Sequence, residues 1–76
     1  MSNAERTFLL FLKDIHSGNL EQCGEFSSHD DASKGMSQWL SDHGLNPIYY
    51  RFWVEDNKTF IDYGSHSKWF VIEDRT

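Results

Sequence analysis

One helix is punctuated into this chain more firmly than any other element, and the runs after it read as strand. Ser28 is a good N-cap, and Asp31 three residues later completes an acidic variant of the capping box. From there Ala32, Met36, Trp39, Leu40 and His43 recur along one stripe at a period of 3.6, while Lys34, Ser37, Gln38 and Ser41 point away. The stop is His43-Gly44-Leu45-Asn46-Pro47. Gly44 can take the left-handed C′ conformation, Leu45 can pack back on the last turn, and Pro47 forbids continuation. These signals predict a helix over 29–43, which needs an apolar sheet face to lie on.

Three runs rich in aromatic and β-branched residues follow, at about 48–55, 58–63 and 68–73. Asp56-Asn57 suits a two-residue turn, since both residues tolerate positive φ. That turn sets Val54 opposite Thr59, Phe52 opposite Ile61, Tyr50 opposite Tyr63, and Arg51 opposite Asp62. The last pair joins opposite charges across the strands, which favours this register. The next turn falls within Gly64-Ser65-His66-Ser67.

The N-terminal third supports two readings. Ser2 and Glu5 resemble a capping box, and Phe8, Phe11, Leu12 and Ile15 share a helical face, so 4–16 reads as a helix ending at Gly18. The preferred reading is a hairpin, with strands at 7–15 and 20–27 around the turn His16-Ser17-Gly18-Asn19. The stretch LEQCGEFSS is a poor helix because Gly24 interrupts it. The fold expected is therefore α+β: a small antiparallel sheet with one helix packed on one face, ββαβββ, with ααβββ as the alternative. The whole chain, 1–76, is read as a single small domain.

At 76 residues with one cysteine, Cys23, the chain has no internal disulfide to staple it. Its twelve aromatic residues suit that need, because each buries a large area. Seven basic residues against twelve acidic ones leave a net charge of −5, which opposes general phosphate-backbone binding. The apolar run FLLFL at 8–12 is too short for a membrane span, and its flanks do not suit a signal peptide. No membrane partner is expected, and a cytoplasmic location is the default.

Several constellations invite a chemical reading. Asp62, Ser65 and His66 are the residue types of an acyl-transfer triad, yet a hairpin puts Asp62 on the sheet beside Arg51 and the other two in an open turn. No glycine-flanked serine elbow accompanies them. His29-Asp30-Asp31 and Asp42-His43 resemble metal ligands, but 14 residues of helix separate His29 from His43 by about 21 Å. The acidic residues at 30 and 31 instead complement the helix dipole. Cys23 reads as a small buried hydrophobe rather than a nucleophile. With no glycine-rich phosphate loop either, no catalytic residue, cofactor or metal is assigned, and a small hydrolase or metal-binding protein stands as the least favoured reading.

Strand alternation divides the remaining side chains between two faces. Tyr50, Phe52, Val54, Ile61, Tyr63, Phe70 and Ile72 form the face expected to receive the helix. Tyr49, Arg51, Trp53, Phe60, Asp62, Trp69 and Val71 form the other. Aromatic residues clustered on a face meant for water call for a cover. An N-terminal helix would supply one. Otherwise Tyr49, Arg51, Trp53, Phe60, Trp69 and Val71 form an interaction surface for a protein partner or a second copy, since Trp, Tyr and Arg are frequent interface anchors. Stacking of single-stranded nucleic acid on the same rings is the alternative, disfavoured by the net charge. The expected function is thus a small, acidic, non-catalytic interaction module acting as an inhibitor, an adaptor or a self-associating subunit.

Overall fold

The computed structural model describes residues 6–47, 50–65 and 67–75. Strands β1 (Phe8–Asp14) and β2 (Leu20–Phe26) precede the helix α1 (His29–Asp42), and β3 (Arg51–Glu55), β4 (Lys58–Asp62) and β5 (Lys68–Asp74) follow it. All strand pairs are antiparallel, in the spatial order β2-β1-β5-β4-β3. The architecture is the ββαβββ form, and the helical reading of 4–16 is excluded because Phe8–Asp14 is a strand paired on both sides. Residues 8–14 are therefore part of the sheet rather than a cover over its helix-free face.

Local chemistry explains the element ends. Ser28 Oγ accepts from the Asp31 N–H at 3.0 Å, capping α1. At the other end the Leu45 N–H donates to Leu40 O at 2.8 Å and the Gly44 N–H to Ser41 O at 3.0 Å, with Gly44 at φ +71°. That is a Schellman motif, and it satisfies carbonyls the helix leaves open. Between β1 and β2, Asp14 Oδ1 accepts from the His16 and Ser17 N–H groups, and Gly18 supplies the positive φ.

The β3–β4 register matches the sequence expectation from Arg51↔Asp62 through Val54↔Thr59, closing at Glu55↔Lys58. Tyr50 precedes the first residue of β3 and does not join the ladder, and 48–49 lie outside the described residues. In the two-residue turn only Asp56 takes a positive φ, of 56°. Asn57 ties the turn to β5: its side chain donates to Asp74 O at 2.8 Å, and its carbonyl accepts from the Asp74 N–H at 2.9 Å.

Phe8, Leu10 and Leu12 of β1, Phe70 and Ile72 of β5, Ile61 of β4, and Ala32, Met36 and Leu40 of α1 form the core. Each large apolar side chain buried there contributes about 1.5–3 kcal/mol. One expectation fails, for a geometric reason. Five strands at a spacing of about 4.8 Å span about 19 Å, whereas one helix is about 10 Å across. The helix lies over β2, β1 and β5, Ile61 of β4 still joins the core, and β3 is left bare. Phe52 and Val54, expected in the helix-covered core, are 62% and 69% exposed, and Tyr50 is exposed beside them.

Candidate interaction surface

The helix-free face is built from alternate residues of the same strands. Across the sheet, Gln22, Phe11, Val71, Phe60 and Trp53 form one row. Trp53 stacks on Phe60 with centroids 5.4 Å apart and planes 11° from parallel. Trp69 stands edge-on to Trp53 at 4.9 Å and to Phe60 at 6.3 Å. The rings roof the sheet beneath them, so Val71 is only 3% exposed although no helix lies on this side. The face thus covers itself in part, and Trp53, Phe60 and Trp69 are half-buried. Among the described residues the enclosed Trp69 indole N–H finds no hydrogen-bond acceptor.

Of the surface residues expected from sequence, Arg51, Trp53, Phe60, Trp69 and Val71 share this face, and Tyr49 lies outside the described residues. Three of the cations on this face are paired. Arg51 meets Asp62 at 3.2 Å, Lys58 meets Glu73 at 3.9 Å, and Arg75 meets Glu73 at 3.1 Å. Such exposed pairs contribute little stability, but they hold the cations near carboxylates.

The residues that sequence reasoning placed elsewhere are Phe52 and Val54. They project from β3, an edge strand bonded to β4 alone among the described strands, and the helix does not cover them. Beside them, between the first turn of α1 and the β3–β4 turn, lies an open groove of about 400 Å³ lined by Phe8, Thr59, Ile72, Val54 and His29. The Arg6–Asp74 ion pair, at 3.0 Å, also lines it. The signal for this overhang was in principle present, since one helix cannot span five strands, but it needed the strand order to say which strands would be left bare.

The triad-like residues serve the turn before β5. Asp62 accepts from Arg51 and from the Gly64 N–H at 2.9 Å, and Ser65 Oγ accepts from the Ser67 and Lys68 N–H groups. His66 lies outside the described residues. His29 meets Phe8 edge-on at 6.1 Å, and His43 stacks on Trp39 at 3.8 Å. Among the described residues no three His, Cys, Asp or Glu side chains group to hold a metal, and no helix is long and apolar enough to cross a membrane.

Cys23 is the extra residue of a β-bulge, where the register passes from Leu10↔Gly24 to Phe11↔Gln22. Burial and, secondarily, the Glu21 carboxylate push its thiol pKa up, against a smaller lowering by the Leu12 backbone. Burial also raises the Tyr63 phenol, with Ser65 opposing and the Cys23 charge adding to it. A thiol held protonated is a weak nucleophile. Both groups keep their protons longer in the folded state than in the unfolded chain. Their contribution to stability is therefore complete below the unfolded values, about 8.5 for thiol and 10 for phenol, and drains as pH rises through the folded ones. The urea midpoint is expected to fall between pH 8 and pH 11, with part of the slope removed by Cys23→Ser. A midpoint that is flat or rising over that range contradicts the assignment.

Comparison of the chain with protein-family models, curated proteins and solved structures finds no match. The functional reading therefore rests on this surface.

Proposed function

We propose that the protein is a non-catalytic interaction module, working by protein contact through the β3 end of its sheet as an inhibitor, adaptor or self-associating subunit. The observation that carries this is an edge strand, bonded among the described strands to β4 alone, that presents Phe52 and Val54 to solvent on one face and the half-buried Trp53 on the other. Main-chain groups along such an edge provide affinity for an added strand, and flanking side chains provide selectivity. Large apolar residues side by side on an edge are otherwise an aggregation hazard, so a chain that keeps them has reason to use them.

Single-stranded nucleic acid on the Trp53, Phe60 and Trp69 rings has less support. Trp53 and Phe60 already stack on each other, Arg51 and Lys58 are paired with carboxylates, and the net charge is −5.

The test is selection of a displayed peptide library on the dilute protein and, in parallel, on a Phe52→Lys/Val54→Lys variant. Recovery of apolar, strand-forming peptides on the parent alone, with β3 amides protected from hydrogen exchange, supports the reading. Equal recovery on both proteins, or none on either, sinks it.

A further inference from the structure

We infer that the occupant of the β3 edge is a second copy of this chain, paired antiparallel with it about a two-fold axis at Trp53. The inference deepens the interaction-module reading and rests on it. The sheet has two edges, and they are treated differently. β2 is bent by the bulge at Cys23 and carries Glu21 and Glu25, the devices that discourage strand addition. β3 has no bulge in its ladder with β4, and its two charged residues, Arg51 and Glu55, stand at its two ends with opposite signs.

Those ends are spaced symmetrically about Trp53. An antiparallel copy centred there sets Arg51 opposite Glu55 twice, and Phe52 opposite Val54 twice. Shifting the centre by one residue, to Phe52 or to Val54, breaks both ion pairs, so the charge pattern selects one register.

The free hydrogen-bonding groups fall in the right place for it. The Asp74 N–H bonds to Asn57 O, so residue 57 turns its main chain toward β5 and Lys58 turns toward β3. By alternation, Arg51, Trp53 and Glu55 spend their N–H and C=O groups on β4, leaving those of Phe52 and Val54 aimed outward. In the Trp53-centred pair these are the residues that must exchange hydrogen bonds. Trp53 faces its own copy as a non-hydrogen-bonded pair, where Cα atoms come within about 4.5 Å. The row of Phe60 and Trp53 then continues into the second copy, making a ten-stranded sheet whose two helices flank the shared β3 strands.

Five residue pairs form an interface smaller than the roughly 1,200 Å² of a stable complex, so association is reversible, with Kd on the order of 10–100 μM. Sedimentation from about 5 μM to 1 mM is expected to show a monomer passing to a dimer, and Val54→Lys, at an exposed position, to remain monomeric with an unchanged circular dichroism spectrum. Register is tested by oxidative cross-linking in a Cys23→Ser background. Arg51→Cys and Glu55→Cys proteins are expected to form a covalent dimer when mixed and not separately, because in either alone the two thiols lie at opposite ends of the strand pair. A parent monomeric at 1 mM overturns the inference, as does cross-linking that is equal in single and mixed samples. If that monomer still selects peptides along β3, only the second copy is lost; if it selects none, the interaction reading falls with it.

Discussion

Phe70→Ala is expected to cost the protein a large share of its stability. Phe70 is fully enclosed on β5, packed edge-on against Trp39 at 5.4 Å and tilted against Tyr63 at 5.1 Å. It joins the helix to the sheet at the strand that itself links the β1–β2 hairpin to β4 and β3. Truncating a buried Phe costs about 3–5 kcal/mol, whereas a chain of this size commands roughly 4–11 kcal/mol in all. Urea denaturation measures the loss directly, and Phe70→Leu, which keeps most of the volume, is expected to cost less than about 1.5 kcal/mol. Phe52→Ala is the informative contrast, because a side chain 62% exposed has little burial to lose and the change is expected to stay within about 0.5 kcal/mol. Equal losses at positions 52 and 70 would contradict the placement of the helix.

The second large effect runs against helix propensity. Gly35 sits inside α1, where Ala is ordinarily favoured by about 1 kcal/mol. A Cβ at Gly35 would lie 2.3 Å from Phe26 Cζ, and one at Gly24 would lie 2.8 Å from the same ring. The Phe26 ring is thus held between two glycines, one on the helix and one on its own strand. Gly35→Ala is expected to destabilise by about 1–3 kcal/mol, the usual cost of overpacking, and Gly35→Val by more. Adding Phe26→Ala to Gly35→Ala removes the obstruction, so the double variant should lose less than the two single losses added together. A single Gly35→Ala variant with a higher urea midpoint than the parent would show that the ring moves aside freely.

The glycine pair marks where sequence reading stopped. Gly24 and Gly35 are eleven positions apart and fit no motif, so nothing local announced that both abut Phe26. Local signals carried far more elsewhere. The Ser28 cap, the Gly44 stop, the Asp56-Asn57 turn and the Arg51–Asp62 cross-strand pair depend on neighbours in the chain or on one tight turn, and each stands as read. The candidate surface was legible to the same extent. Alternation put Trp53, Phe60, Trp69 and Val71 on one face, and the structure puts them together there.

What the amino-acid sequence determined by itself was the helix and the strands after it, their caps and turns, and which residues of each strand share a face, because these follow from periodicity and short-range hydrogen bonding. The N-terminal third fitted a helix or a hairpin until its strand pairing decided. Tertiary structure alone decided that β1 enters the middle of the sheet beside β5, and so which strands one helix could cover. That choice depends on long-range strand pairing, which leaves no periodic trace in the chain. It moved Phe52 and Val54 from the expected core to an open edge, where the helix is too narrow to reach them.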